Sequence, residues 1–164
     1  MSSVLKVDTI QNTGGTSALT IDSSGRVLTP AKPSFHAYKS TSGAWQTLGG
    51  TGQAVIPLNN TKHNVGGHYD TSNYRFIAPV AGVYLFAAQI YHDANSYFQV
   101  RIRLNGSPIV FAQNRDQGIT THATVVYQLA VSDYVDITGA ISNSDSDDWY
   151  DRFDYSYFCG HLVG

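Results

Sequence analysis

The sequence predicts an all-β sandwich, and three observations lead to this fold class. Short runs of β-branched and aromatic residues recur along the chain, separated by Gly, Pro, Asn and Asp turn signals. No amphipathic pattern is long enough to predict a helix. The run at residues 82–91 is apolar on both of the faces that it would have as a strand, so it belongs inside a packed structure.

Composition limits the classes of function. The chain has 164 residues, and its 42% of hydrophobic residues are enough for one domain with a short additional arm. Only 13% of the residues are charged, about half the usual share, and such a weakly charged, polar surface is typical of extracellular or virion proteins. The net charge of −2 and the absence of a basic cluster argue against a nucleic-acid partner.

Cysteine usage and the start of the chain bear on location. Cys159 is the single cysteine, so no intrachain disulfide is expected. The first residues lack the apolar stretch of a secretory signal, and no segment is apolar for long enough to span a membrane. A surface-type domain without an export signal suggests release by lysis. We therefore expect a virion protein that is extracellular after lysis and does not insert into membranes.

Residues 1–32 differ from the rest of the chain and form a separate N-terminal arm. Two short strands are expected at residues 5–10 and 18–21, and residues 22–26 predict a turn before a further apolar pair at 27–28. This is too little apolar material for an independent core. Two interpretations remain open, a partly disordered leader and a trimerising or docking arm.

The segment at residues 30–33 contains two prolines and predicts a stiff linker that ends the arm. Residues 34–38 alternate aromatic and small side chains, as a first strand does. A loop rich in Gly, Ser and Thr follows at residues 41–52. Residues 53–58 predict a short edge strand, because Pro57 is tolerated only at an edge or at a strand end.

The stretch at residues 74–91 predicts a hairpin of two strands with a tight turn between Pro79 and Gly82. The second strand would place apolar side chains on both faces, whereas one sandwich core covers a single face. A second chain is the simplest source of the other cover, so the strand predicts an oligomer. The residues expected at the subunit interface are Val83, Leu85, Ala87, Tyr84 and Phe86.

The second half of the chain shows further strands with clear turns. Residues 97–104 alternate apolar and polar side chains, and Asn105-Gly106 predicts a two-residue hairpin into residues 107–112. Residues 120–131 predict a long strand, which turns at Ser132-Asp133 into another strand at residues 134–140. The sequence thus predicts strands almost continuously up to the acidic loop that follows.

Two motifs resemble a known family. Phe76-x-x-Pro79-x-x-Gly82-Val83-Tyr84-x-Phe86 is similar to the central signature of the complement C1q globular head, a member of the tumour necrosis factor-like superfamily. Residues 157–163 resemble the closing strand of that family, with His161 where an aromatic residue is usual. The resemblance covers residues 33–164. It implies a jelly-roll β-sandwich that assembles as a homotrimer, binds ligands and is not an enzyme.

The arm resembles a second group of proteins. Residues 5–12 and 16–27 are similar to a leader found in tail-fibre and virion proteins of marine phages. This resemblance covers the arm alone. It implies a phage source and a contact with other virion or fibre proteins through residues 1–32.

The loop at residues 143–151 is the candidate metal site. Calcium prefers several oxygen ligands, which this loop offers as carboxylates, although the spacing does not match an EF-hand loop. A solvated acidic loop with Trp149 packed on the domain is the alternative, so calcium is the one cofactor kept open. The candidate ligands are Asp145, Asp147, Asp148 and Asp151.

Aromatic residues near this loop form a candidate ligand site. Aromatic faces stack on the CH groups of sugars, while Asp or Asn side chains accept hydrogen bonds from the hydroxyls. Packing in the core or at an interface is the alternative for the same residues. The candidate ligand-binding residues are Trp149, Tyr150, Tyr155 and Trp45.

No pattern in the sequence predicts catalysis. None of the six histidines forms a helical pair typical of zinc enzymes. No Gly-x-Ser-x-Gly motif is present, and the chain has no Glu for a glycosidase carboxylate pair. Cys159 stands beside aromatic residues in a predicted strand, which favours an inert thiol.

Together these features predict a non-enzymatic, trimeric virion binding module at the receptor-binding tip of a phage tail fibre or spike. Its partners would be two further copies of itself, other fibre proteins and a host surface glycan or protein. Two alternatives remain, a purely structural virion trimer and a secreted carbohydrate-binding lectin. A polysaccharide depolymerase ranks last, because no catalytic pattern supports it.

Overall fold

The computed structural model describes residues 3–48, 52–93, 97–116, 118–141 and 148–164. All regular secondary structure in these residues is β, which confirms the predicted fold class. The described residues contain no helix with the length and hydropathy needed to span a membrane. The chain divides into two compact units, Met1–Lys32 and Pro33–Gly164.

The described residues form sixteen strands, arranged in one small and two large sheets whose paired strands are all antiparallel. In chain order they are β1 (Thr9–Gln11), β2 (Ser17–Ile21), β3 (Val27–Leu28), β4 (Ser34–Tyr38), β5 (Trp45–Thr47), β6 (Gly52–Val55), β7 (Asn60–Val65), β8 (Tyr69–Asp70), β9 (Arg75–Ile77), β10 (Gly82–His92), β11 (Phe98–Leu104), β12 (Ser107–Asn114), β13 (Ile119–Leu129), β14 (Tyr134–Ile141), β15 (Asp148–Tyr150) and β16 (Tyr157–Leu162).

The first unit is a three-stranded meander in the order β1-β2-β3. Its first strand begins at Thr9, four residues later than the sequence predicted. Both turns are closed by a side chain that accepts two backbone hydrogen bonds, Asn12 in the first turn and Asp22 in the second. The predicted turn at residues 22–26 is therefore confirmed.

The second unit is a sandwich of two sheets. The seven-stranded sheet has the order β5-β15-β10-β16-β4-β7, and β13 pairs with the other edge of β10. The six-stranded sheet has the order β12-β11-β14-β9-β8, and β6 pairs with β14. The Asn105-Gly106 turn between β11 and β12 is confirmed, since both residues have positive φ, as a type I′ hairpin requires.

The core between the sheets is built largely from aromatic rings. Phe35 of the seven-stranded sheet stacks on Phe76 and Tyr69 of the six-stranded sheet, with ring centroids 5.1 and 4.9 Å apart. Phe86 and Phe158 stack within the seven-stranded sheet at 5.8 Å. Each such pair contributes about 0.5–1.5 kcal/mol beyond the burial of its area. These contacts hold the two sheets together.

The predicted hairpin at residues 74–91 is not formed. β9 pairs with β8 and β14 in the six-stranded sheet, whereas β10 pairs with β13, β15 and β16 in the seven-stranded sheet. The segment with Pro79 therefore carries the chain from one sheet to the other. A local turn signal shows that the chain bends, but it does not show which sheet the next strand enters.

The two faces of β10 have different roles. Tyr84 and Phe86 are completely buried in the core of this chain. This corrects the prediction that these two residues lie at the subunit interface. A partner cannot contact these rings unless the core opens. Because side chains alternate along a strand, Val83, Leu85 and Ala87 point to the opposite face, and the interface prediction is kept for these three residues.

Candidate functional site

The outer face of the seven-stranded sheet is formed by alternate residues of β10 and by their cross-strand partners, which lie on the same face. The pairs are Val83 with Gln128, Leu85 with Val126 and His161, Ala87 with Thr124 and Cys159, Gln89 with His122 and Tyr157, and Tyr91 with Thr120. None of these side chains is Asp, Glu, Lys or Arg. This face divides into an apolar and an aromatic zone.

The apolar zone lies near the start of β10. We call Val83, Leu85, Ala87 and Val126 the apolar strip. Val126 is exposed and the three residues of β10 are half-buried, so the strip presents apolar surface without a covering layer from this chain. A contiguous exposed apolar surface usually marks a contact with another protein.

Histidine and cysteine side chains border the apolar strip. His36 faces Cys159 on one side and His63 on the other, and its ring lies 5.1 Å from that of Tyr157. Burial, and next the charges of His63 and Lys62, hold the pKa of His36 below its usual value. Within the described part of the chain, the buried His36 Nε2 has no hydrogen-bond partner.

Cys159 is an unreactive neighbour in this arrangement. Burial raises the pKa of its thiol, so the thiol stays protonated at neutral pH, whereas the thiolate is the nucleophilic form. This environment supports a packing role for the side chain.

The aromatic zone lies at the His92 end of β10. Trp45, Tyr91, Tyr150 and Tyr155 surround a cavity of about 280 Å³, with Arg152 at its rim. The ring centroid of Tyr150 lies 5.3 Å from that of Trp45 and 5.3 Å from that of Tyr155. We call this cavity the aromatic pocket.

Strand register explains why some aromatic residues face the pocket. Trp149 pairs with His92, whose side chain points into the core, so Trp149 is also inward and only 1% exposed. The next residue, Tyr150, pairs with Trp45 and points outward. Trp149 is therefore a core residue, which corrects its prediction as an exposed ligand-binding residue.

Tyr91 is the pocket residue that sequence reasoning missed. It lies on the outer face of β10 two residues after Gln89, and its ring centroid is 5.7 Å from Trp45 and 5.1 Å from Tyr155. Extending the alternation of β10 by one step would have placed Tyr91 on the outer face of the strand, whereas its position beside the other aromatic residues depends on the pairing of β10 with β15. Trp45, Tyr150 and Tyr155 do come together as predicted neighbours.

Hydrogen bonds fix the rim of the pocket. Arg152 donates to both carboxylate oxygens of Asp154, at 2.6 and 2.7 Å, and its guanidinium lies 4.7 Å over the Tyr155 ring. This bidentate contact lowers the pKa of Asp154. Gln89 Nε2 donates to the Tyr155 carbonyl at 3.0 Å, which ties the turn to β10.

A glycine allows the neighbouring loop to approach the pocket. Gly43 has a φ of +79°, and a Cβ atom at this position would lie 2.6 Å from Tyr150 Oη. A side chain there would be strained by its backbone conformation and would also displace the Tyr150 ring. Gly43 therefore lets its loop pack closely against Tyr150 and Arg152.

The predicted metal ligands are not brought together in the described residues. Asp145 and Asp147 lie outside the described residues, as does the side chain of Asp148. Asp151 is buried, and its Oδ1 accepts a hydrogen bond from Ala44 N at 2.7 Å. In the part of the chain that is described, no group of three or more His, Cys, Asp or Glu side chains is placed to hold a metal ion. Calcium binding stays a prediction.

The two packed sheets with these connections define a jelly-roll sandwich of the C1q and tumour necrosis factor type. The C1q domain model matches residues 37–163. This chain therefore belongs to the C1q domain family. Domains of this type form homotrimers and are typically non-enzymatic.

Individual relatives agree with this assignment. The rat protein "Complement C1q tumor necrosis factor-related protein 6" (Rattus norvegicus) is 29% identical over 104 residues, which are 61% of this chain and 39% of the relative. The chain thus spans well under half the length of that protein. The structure titled "Globular Domain of Zebrafish Complement 1qA protein" matches with a TM-score of 0.63 and 15% identity, covering 81% of this chain and 98% of that one.

A tumour necrosis factor structure is similar in fold. The structure titled "Structure of Eiger TNF from S. frugiperda" matches with a TM-score of 0.65 and 10% identity over 82% of this chain and 94% of that one. At 10% identity the similarity establishes the fold but gives no information about a ligand of this chain.

Proposed function

We propose that this chain is the trimeric, non-enzymatic binding module of a phage virion, and that it forms the receptor-binding tip of a tail fibre or spike. The aromatic pocket is the observation that carries the binding role. The pocket would take a sugar ring of a host surface glycan. A host surface protein is the other class of receptor.

The chemistry of the pocket favours a sugar with no net charge. Tyr91, Tyr150, Tyr155 and Trp45 offer ring faces and hydroxyl groups, which suit the CH groups and hydroxyls of a pyranose. The charge of Arg152 is balanced by Asp154, so the pocket has little net positive charge to attract an acidic sugar. A volume of about 280 Å³ is close to the lower limit of ordinary ligand sites, which suits one sugar ring.

Assembly would strengthen weak binding by one pocket. The apolar strip supports a homotrimer, because it is the apolar part of the outer face and carries no charged side chain. Three pockets on one trimer would bind a repetitive surface glycan with higher avidity than a single pocket does. The phage-like leader supports the virion location and a contact of residues 1–32 with other fibre proteins.

Tryptophan fluorescence tests the sugar site. Trp45 is 45% exposed in the pocket while Trp149 is buried, so titration with methyl pyranosides and with purified bacterial lipopolysaccharide should change the emission of Trp45 with saturation. Trp45→Ala should abolish the change. Phe111→Ala is the matched control, since Phe111 is 63% exposed and lies outside the pocket.

A purely structural virion trimer is the second candidate. It is favoured by one observation, that the pocket lies on the same sheet face as the apolar strip, so a neighbouring subunit can cover it. In that case acrylamide would quench Trp45 poorly in the trimer, and neither the sugars nor a glycan array would give a saturable signal. These results would overturn the receptor-binding proposal and leave the trimer standing.

A further inference from the structure

The small sheet of the N-terminal arm has one apolar and one polar face. Ile10 pairs with Leu19, and Ile21 pairs with Val27, so these four side chains lie on one face. Thr9, Thr20 and Leu28 lie on the other face by the same register. We call Ile10, Leu19, Ile21 and Val27 the arm face.

Two turns of the same design hold this sheet in shape. Asn12 Oδ1 accepts hydrogen bonds from the N–H groups two and four residues later, and Asp22 Oδ1 does the same ten residues further on. A glycine with positive φ lies three residues after each of these side chains: Gly15 after Asn12, and Gly25 after Asp22. The strand register, and therefore the arm face, is set by these local hydrogen bonds.

The arm face has no cover within the arm. None of the described residues 3–32 is buried, and Val27 is 62% exposed. A small sheet needs an apolar face that is packed against something before it is stable. Together with Val7 and Thr9, the arm face lines a small apolar cavity of about 50 Å³.

We propose that the three arms of one trimer pack their arm faces against each other and so form an apolar core that a single arm lacks. This inference rests on the proposed trimer. A second copy is the partner because each trimer carries three identical arms joined at Pro33 to domains of a trimer-forming family, which gives a high local concentration.

Charge also favours identical partners. The four residues of the arm face are uncharged, and Arg26 in the adjacent turn is paired with Asp22 at 2.7 Å. Copies of this face can therefore meet around a threefold axis without placing like charges against each other. Cyclic symmetry then closes the contact at three arms.

Cysteine cross-linking in the full-length chain tests the contact. Val27→Cys and Leu28→Cys, each in a Cys159→Ser background, are a matched pair because the two residues are adjacent, exposed by 62% and 47%, and on opposite faces. Under copper–phenanthroline oxidation we expect the Val27→Cys chain to form interchain disulfides at least tenfold faster. Light scattering of the same samples gives their mass.

Each outcome of this experiment decides the proposal. Equal rates, or no cross-link at Val27→Cys, in a protein of trimer mass overturn the arm contact and leave the trimer intact. This is also the result expected if another virion protein or the second unit of the chain covers the arm face. A monomer mass overturns both the arm contact and the trimer.

Limited proteolysis provides an independent readout. We expect Ile21→Asp on the arm face to speed tryptic cleavage after Arg26 by at least tenfold, because the arms separate. Thr20→Asp, on the opposite face, should leave the rate near that of the unmodified chain. Equal cleavage of both variants contradicts the proposal.

Discussion

The two sheets of the sandwich have outer faces of opposite chemistry. On the six-stranded sheet, Arg103 donates to both oxygens of Asp136, at 2.7 and 2.5 Å. Arg101 donates to Gln53 at 2.8 Å, and Gln53 donates to Thr138 at 2.8 Å. These polar side chains are thus paired with one another within one chain.

The outer face of the seven-stranded sheet is built differently. It carries the apolar strip, the aromatic pocket and histidines, and His36 Nε2 is buried without a hydrogen-bond partner in the described residues. Four of the six histidines of the chain lie on this face by strand register, and the strands of the six-stranded sheet contain none; the four are His36, His63, His122 and His161. The six-stranded sheet also exposes Phe111 on its outer face, by 63%, and Arg75 Nε in its strand β9 is buried without a hydrogen-bond partner in the described residues. The two outer faces therefore differ mainly in that one carries intrachain ion pairs and the other carries the apolar strip and the aromatic pocket.

A charge on the apolar strip should have the largest effect. Leu85→Asp would place three carboxylates in the trimer contact, where unpaired buried charges cost several kcal/mol. We expect association to weaken by about a thousandfold or more, ~4 kcal/mol, so that light scattering at micromolar concentration finds monomers.

The matched control lies on the other sheet. Gln99→Asp introduces the same charge on the outer face of β11 and should leave the trimer intact. Dissociation of both variants to the same extent would show that the two faces do not differ as described.

Acid should destabilise the seven-stranded sheet through its histidines. Burial lowers the pKa of His92 to about 4, its Nε2 bonds Thr121 Oγ1 at 2.8 Å, and its ring stacks on Phe98 at 4.5 Å. The pKa of the His92 imidazole is thus lower in the folded chain than in the unfolded chain, where it is near 6.5. Protonation therefore favours unfolding, and the stability is lost as pH falls from 6.5 toward 4.

The expected loss from His92 is about 3 kcal/mol between pH 7.5 and pH 4. Urea unfolding at a fixed protein concentration measures it, and His92→Gln should flatten the pH dependence by about that amount. His36 acts in the same direction, because its pKa is also lowered. An unchanged pH profile in His92→Gln would contradict the assignment of the acid effect to this residue.

Breaking the ion pair of the six-stranded sheet should have a smaller and purely intrachain effect. The side chains of Arg103 and Asp136 are only 18% and 7% exposed, so Asp136→Asn, which weakens hydrogen bonds between charged groups, should cost about 2 kcal/mol of unfolding free energy. The trimer mass should not change. Asp154→Asn, at an exposed pair, should cause no measurable loss of stability; equal losses in both variants would rule out a special role for burial.

The strongest local signals in the sequence predicted structure well. Asn105-Gly106 forms the expected hairpin, and residues 22–26 form the expected turn, because each depends on backbone preferences of adjacent residues. The alternation along β10 also grouped its residues correctly by face. It could not show which face is inward, because both are apolar, and packing placed Tyr84 and Phe86 in the core.

Long-range pairing explains the remaining errors. Pro79 and Gly82 mark a bend, but the contact of β10 with β13, about forty residues later, is decided by the packing of the whole sandwich. Trp149 was a candidate ligand-binding residue, with packing on the domain as the alternative, and its pairing with His92 turns it inward. The aromatic pocket was predicted in part, since Tyr91 joins it only through the same long-range register.

We expect the apolar strip on the outer face of the seven-stranded sheet to be covered by further copies of the chain, while the aromatic pocket stays open. Light scattering of the purified full-length chain at micromolar concentration tests this most directly. We expect about 53 kDa, three times the chain mass of 17.8 kDa. A mass of 17.8 kDa would contradict it, because the apolar strip would then face solvent in the native protein.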